Sequence, residues 1–500
     1  MKLYYRVFFC LFPVQFFLSG QAAAFSDTTA TAAPTRAVQK LAGAIAFHTV
    51  SSATPGETNA AAFIALHRYL QKSFPALHDR LQRKVINRYS LLYTWPGKNQ
   101  ALKPILLSAH LDVVPVEEAT KDQWEHQPFA GAVEDGYIWG RGTMDDKYRV
   151  VAILEAVEQL VREGYQPERT LYLAFGHDEE TGGEFGAGEI GAFLQAQGVQ
   201  LEAVFDEGLA VADNIVPGVT EPVAFVGTAA KGNLNLQLTV KGEGGHSSVP
   251  KRDSPIYILS VAISRLHDHP FAPHMTPTTI ETLELLSAKM GGRYRFAMRH
   301  YGLLKGRVLK MLAKDRATDA LIRTQMAPTI LAAGEKDNVM PRLATAVVNV
   351  RILSGENRET VLAHVREAIA DERVEVEVSG LYIPPSPVTS TDTWTYKALS
   401  QTIRQTFPEV TLVAPALFPG STDAKHYSHL TSNIYRFAPQ VVDRQSAKLV
   451  HNVNERLSVE VFGRCIVFYD NLIRNTCGTA AKELVIQHQK QAAPVAAGVK

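Results

Sequence analysis

The chain has 500 residues, 46% hydrophobic and 20% charged, a balance that excludes a disordered or fibrous chain and leaves enough material for two packed cores. Its 51 Lys/Arg stand against 50 Asp/Glu, and a net charge of +1 gives no global basic field for a nucleic-acid partner. Charge has to be read locally.

The first residues, MKLYYRVFFCLFPVQFFLSGQAAAF, join Lys2 and Arg6 to an apolar stretch and a small-residue stop at Ala22-Ala23-Ala24. That order is the pattern of a secretory signal, so residues 1–24 are expected to be a cleaved signal peptide and the protein secreted or periplasmic. The alternative is a membrane anchor left uncleaved, against which the short apolar stretch and its interruption by Pro13 and Gln15 argue. Cys10 would leave with the signal, so Cys465 and Cys477 are the pair open to bridging in an oxidising compartment.

Beyond a Thr/Ala-rich leader, AVQKLAGAIAFHTV and TNAAAFIALHRYLQKSFP carry helical spacing, and Pro75 stops the second. PILLSAHLDVVP reads as a buried strand, YRVVAILEAVEQLVREG as an amphipathic helix closed by Gly164, and RTLYLAFGHDEE and LEAVFDEG as two further buried strands. Short apolar strands separated by longer helices predict an α/β domain with a largely parallel sheet, whose sites gather at the carboxyl ends of the strands. From about Gly232, NLNLQLTVKG, ATAVVNVRIL and RVEVEVSG alternate apolar with polar residues, as half-exposed strands do. They predict a smaller α+β domain over 230–384, inserted into a first domain that spans 36–229 and resumes over 385–476. The tail 477–500 has little apolar material to bury and is expected to be disordered.

The stretch from Lys289 to Arg323 holds ten Lys/Arg against Asp315 and Asp319, interleaved with Phe296, Met298, Leu303, Leu304, Leu309, Met311 and Leu312. A basic amphipathic segment suits a lipid surface or an anionic amphiphile, and its plainer role is a solvated helix over the site. The working expectation is that it contacts lipid or another amphiphile peripherally.

Chemistry collects at predicted strand ends: His110 and Asp112 in SAHLDVVP, Asp145 in GRGTMDDK, Glu179 and Glu180 in GHDEETGG, Asp206 in FDEG, and His451 in HNVNERL. Two imidazoles with several carboxylates and no thiolate form a nitrogen/oxygen donor set suited to zinc or a similar divalent ion. One carboxylate could bridge two ions roughly 3.5 to 4 Å apart, each completed by one His and one further carboxylate. Asp112, two residues past His110, can accept the free ring N–H, and a Glu beside a water can take its proton. On an extended backbone neighbouring side chains point apart, so one of Glu179 and Glu180 can hold metal while the other faces substrate; spacing does not say which. Taken singly, each residue reads as a hydrogen-bonded core group or a turn cap, and His126, His177, His267, His429 and Asp178 are read that way.

In their order, SAHLDVVP, GRGTMDDK, GHDEETGG, GHSSVP and HNVNER resemble the motif set of the dinuclear-zinc aminoacylase and carboxypeptidase-S metallopeptidase family, over about residues 40–475. The resemblance implies a zinc-exopeptidase-like catalytic domain with an inserted lid and dimerisation domain, and two Zn2+ per subunit. By the same likeness His110, Asp145, Glu180, Asp206 and His451 are the ligands, with Asp145 bridging. Glu179 is the general base and Asp112 the orienting carboxylate. His246 in GEGGHSSVP resembles the lid histidine that stabilises an oxyanion and can come from a dimer partner. Asn338, Arg351 and the Gly420-Ser421-Thr422 segment resemble substrate contacts, although Lys425 stands where many members carry Arg.

Within the family the likeness is to the N-fatty-acyl-amino-acid synthase/hydrolase and vacuolar carboxypeptidase S branches. The implied activity is hydrolysis, and in reverse condensation, of the amide bond of N-acyl amino acids, long-chain ones included. A metallocarboxypeptidase acting on short peptides is the alternative, and a binding protein of the same fold without chemistry is the reading from another class. The expected partners are these small molecules, with no nucleic acid and a homodimer through the lid domain.

Overall fold

The computed structural model describes residues 35–479, apart from positions 53, 55–57 and 217. Every described residue belongs to one compact unit. The expected signal peptide over 1–24 and the tail from residue 480 lie outside the described residues.

The longer strands are, in chain order, β1 (Gln82–Ile86), β2 (Ser90–Trp95), β3 (Ile105–His110), β4 (Leu171–Gly176), β5 (Ala203–Ala212) and β6 (Val223–Ala230). There follow β7 (Gly232–Lys241), β8 (Gln325–Ala333), β9 (Leu343–Ile352) and β10 (Val374–Ile383), then β11 (Leu412–Phe418) and β12 (Ile434–Val442). One sheet has the order β1-β2-β4-β3-β5-β12-β6-β11, with parallel pairing from β4 through β12 and again between β6 and β11. It is an α/β fold with a mostly parallel centre, and β1 and β2 at one side add to it in antiparallel fashion.

Alternation along the central strands explains why both faces are covered. Leu107, Phe175 and Phe205 join one core with Ile153, Val157, Ile466 and Tyr469 of the helices Lys147–Arg162 and Val459–Cys477. Their neighbours Leu106, Ala174 and Val204 pack on the opposite face with Ile190, Leu194, Tyr427 and Leu430. A strand buried on both faces reads as a continuous apolar run, and ILLSAH is buried at all six positions. That burial delivers His110 to the carboxyl end of β3, beside the turn that follows β4.

The second sheet has the order β8-β9-β7-β10 and is antiparallel throughout. Leu234, Leu236, Leu238 and Val240 of β7 face a core with Ile258 and Leu259 of the helix Pro255–Asp268 and Val361 and Val365 of the helix Arg358–Ile369. The other face is polar, and there Asn349 donates to both Asn233 and Asn235. Edge strand β8 leaves Ile330 and Leu331 exposed.

Cys465 and Cys477 are buried free thiols on one helix. Twelve residues of helix separate them by about 18 Å, which no disulfide spans.

Candidate metal and catalytic site

His110 is 1% exposed, and its two ring nitrogens meet different partners. Nδ1 lies 3.0 Å from the Asp112 carbonyl oxygen and 3.3 Å from Asp112 Oδ1. Nε2 lies 3.0 Å from Asp145 Oδ1. The Asp112 carboxylate also accepts the Ser51 hydroxyl at 2.6 Å and the backbone N–H groups of Glu179 and Glu180 at 3.2 and 3.1 Å. A single buried carboxylate thus orients the imidazole and ties down the loop carrying the glutamate pair. Burial alone would push its pKa up, but the His110 hydrogen bond and charge hold it below the usual range.

Asp145 joins the two histidines. Its Oδ2 is 3.0 Å from His451 Nε2, which is also 3.2 Å from Glu180 Oε1. His451 has φ of +61°, the left-handed region that non-glycine residues seldom occupy. The loop bearing Asp145 is held by Glu455, fully buried in the late HNVNER segment. Its carboxylate accepts from Arg141 at 2.5 Å and from the N–H groups of Gly142 and Met144 at 3.0 and 2.8 Å. Sequence reasoning missed Glu455, although it lies within a quoted motif, because a clamp on a distant loop leaves no local spacing signal.

Asp206, expected among the ligands, makes its described contacts with neither histidine. Its Oδ2 accepts the Ala424 N–H at 2.8 Å and its Oδ1 lies 3.9 Å from Arg149. Glu207 Oε1 instead lies 3.8 Å from His110 Nε2. Among the described residues two groups have the compactness to hold a cation: His110, Asp145 and Glu180, and His110, Asp146 and Glu207; Asp206 is in neither. The cause is a break in register, for Asp206 pairs with Arg436 of β12 while the next residue, Phe437, pairs with Leu209. Glu207 and Gly208 are the extra residues, and such a bulge re-aims a side chain. Gly208, a glycine in a strand pattern, is the one signal that could have disclosed it.

The carboxylates are crowded enough to demand positive charge. Burial pushes Glu179 up to about 8, with the Glu180 and Asp145 charges adding to the rise. Burial and the Asp145 charge raise Glu207 as well. Hydrogen bonds to Asp145 and Glu180 lift His451 to about 10. Asp146 Oδ1 is buried without a hydrogen-bond partner among the described residues. Two imidazoles, four carboxylates within reach and an orphaned buried oxygen make a nitrogen/oxygen donor set for divalent cations, so the residues fit a zinc pair.

Asp178 closes the turn of the glutamate pair, where its Oδ2 accepts the Phe185 N–H at 2.8 Å and its carbonyl the Gly183 N–H at 2.7 Å. The Thr422 side chain caps the short helix Asp423–Tyr427, and buried Asp423 reaches back against the end of β4. A Cβ at Gly176 would come 2.3 Å from Asp423 Oδ2, so a larger residue there would require Asp423 to move. Arg351 ends β9 close enough to Glu179 to feel its charge. His246 pairs in register with Val339 next to Asn338, is exposed, and makes its side-chain hydrogen bond with Ser248 at 2.8 Å. No described contact joins His246 to the cluster within one chain.

Comparison with known proteins gives the site a setting. The model of peptidase family M20/M25/M40 matches residues 106–475. A probable carboxypeptidase S-like 2 of Dictyostelium discoideum is 39% identical over 454 residues, covering 90% of this chain and 87% of the relative. An N-fatty-acyl-amino acid synthase/hydrolase of Xenopus tropicalis is 40% identical over 444 residues, covering 88% and 85%. Among solved structures, human carnosine dipeptidase 1 superposes with a TM-score of 0.65 at 16% identity, covering 89% of this chain and 96% of the other, a likeness of fold.

Proposed function

The chain belongs to peptidase family M20/M25/M40, and on that premise we propose that it is a two-zinc hydrolase of the amide bond of N-acyl amino acids, long-chain ones included, with condensation as the reverse reaction. The observation that carries the reading is Asp145, placed 3.0 Å from His110 on one oxygen and 3.0 Å from His451 on the other. Asp145, His110, His451, Glu180 and Glu207 would hold the two ions, with Asp145 positioned between the histidines to serve both. What zinc supplies when bound is Lewis acidity toward the amide carbonyl and toward water.

The remaining work falls to the chain. Glu179 takes the proton of the attacking water and passes it to the leaving amine. Asp112 keeps His110 and the Glu179–Glu180 backbone in place. Arg351 and Asn338, with the backbone of Gly420, Ser421 and Thr422, receive the carboxylate of the amino acid, and one guanidinium can meet that carboxylate at both oxygens. His246 donates to the carbonyl oxygen as charge develops there.

The segment 230–384 serves as lid and dimerisation domain in this reading. Exposed Ile330 and Leu331 on edge strand β8, and exposed Ile256, Tyr257 and Val261 on the helix Pro255–Asp268, offer an apolar surface for a second copy of the chain. Through that pairing His246 could complete the partner's site. Secretion by way of the 1–24 segment, and peripheral contact with lipid, belong to the same reading; among the described residues no helix is long and apolar enough to cross a membrane.

A substrate screen of zinc-loaded protein tests it, varying acyl chain and amino acid together and reading released amine. Turnover of N-oleoyl amino acids is expected; failure on every N-acyl amino acid sinks the proposal. The carboxypeptidase S-like relative at 39% identity favours a second reading, cleavage of short blocked peptides. Comparing kcat/KM on blocked dipeptides and N-oleoyl amino acids ranks the two.

A further inference from the structure

The residues from 285 to 314 include eight Lys/Arg and no Asp or Glu. They form the end of the helix Pro277–Lys289 and the helices Gly292–Arg299 and Tyr301–Leu312. The last of these has two unlike sides. Val308, Leu309 and Leu312 are buried, and with Tyr301 and Leu304 they pack against Met275 and Leu283. At helical spacing on the other side stand Leu303, Arg307, Lys310 and Met311, all exposed, and exposed Lys314 follows the helix. Leu303 is 88% exposed, and on the preceding helix Phe296 is 60% exposed with Arg293 and Arg299 three residues to either side.

Internal pairing uses little of this charge. Lys289 pairs with Glu221 at 2.8 Å and Arg295 donates to the Ala288 carbonyl at 2.6 Å. Among the described residues Arg299, Lys305, Lys310 and Lys314 form no ion pair. A core-packed helix would gain nothing from an outward leucine beside a row of unneutralised cations. An anionic lipid surface accepts both, with the cations at the headgroups and the apolar side chains below them.

We propose that the outer face of the helices Gly292–Arg299 and Tyr301–Leu312 docks on an anionic lipid surface, with Leu303 and Phe296 inserting and Arg299, Lys310 and Lys314 meeting the headgroups. The inference deepens the reading of long-chain N-acyl amino acids as substrates, because such amphiphiles reside in lipid. Nucleic acid and acidic polysaccharide share the charge preference but offer no place for the exposed leucine.

The test is cosedimentation of the full chain with vesicles of phosphatidylcholine alone and of phosphatidylcholine with phosphatidylglycerol. Binding is expected to the anionic vesicles only, falling as salt rises. Leu303→Asp, and separately the pair Lys310→Glu and Lys314→Glu, are each expected to weaken it at least about tenfold while circular dichroism and hydrolysis of a soluble N-acetyl amino acid stay as in the parent. Equal binding to neutral vesicles, variants that bind like the parent, or retention on heparin without vesicle binding would each overturn the proposal. Vesicle binding by a protein that hydrolyses no N-acyl amino acid keeps the lipid surface and removes the function, whereas hydrolysis without vesicle binding does the reverse.

Discussion

Asp206 and Glu207 are consecutive in β5 and serve different partners: Asp206 Oδ2 holds the Ala424 N–H at 2.8 Å, while Glu207 Oε1 stands 3.8 Å from His110 Nε2. Glu207→Ala is therefore expected to cost the chain one of its two zinc ions, measured by metal content after dialysis, and most of its turnover. Asp206→Asn is expected to keep the metal and lose about 1–3 kcal/mol of stability, the cost of weakening a buried hydrogen-bonded carboxylate. The reverse pattern would return the ligand role to Asp206.

Glu179 stands apart from its neighbour Glu180, which approaches His451 at 3.2 Å. Glu179→Gln keeps the size of the side chain and removes the proton acceptor. It is expected to preserve zinc content and the thermal transition while lowering kcat about 10²- to 10⁴-fold. Near-normal turnover rejects the assignment of Glu179 as base.

Asp112 carries His110 and the 179–180 backbone at once, through contacts of 3.3, 3.2 and 3.1 Å. Asp112→Asn presents an amide toward donors that need an acceptor. Zinc affinity is expected to fall about 10- to 100-fold in a competition titration with a chelator. An unchanged affinity means that Asp112 does not orient the ligand.

Burial lowers the pKa of His177 from 6.5 to about 4, and its ring is held by Ser90 at 2.6 Å between Phe63 and Tyr89. Above pH 6.5 neither folded nor unfolded imidazole carries a proton, so the residue leaves stability unchanged with pH. As the pH falls below 6.5 the unfolded chain protonates first, stability declines, and the loss levels off below about 4. The loss amounts to at most about 3 kcal/mol, from the constant of 1.36 kcal/mol per unit. Urea midpoints from pH 7.5 to 4 are expected to fall less steeply in His177→Asn than in the parent, and parallel curves would show that this histidine does not titrate on unfolding.

His110, Asp145, Glu180 and His451, which the structure brings within 3.2 Å of one another in a chain of contacts, were legible as candidates because each lies at the end of an apolar run or within a short segment whose residue types suit metal binding. Alternation also disclosed the apolar side of β7, and a continuous apolar run the double-sided burial of β3. Strands β1, β6, β11 and β12 carried no such signal, for they are edge strands or are interrupted by residues such as Gly227, Pro415 and Pro439. Glu207 was hidden by a rule that holds only for a regular ladder, and the register break beside Arg436 suspends it.

By itself the sequence determined the α/β order, the alternating strands of the second sheet and the types of residue available to hold zinc, since hydrophobic periodicity and side-chain chemistry are local properties. Only the tertiary structure decided which carboxylate reaches His110, how Glu455 clamps the Asp145 loop, and that Cys465 and Cys477 stay apart. Those outcomes depend on pairing between segments hundreds of residues apart and on where the ladder bulges, which no local pattern encodes.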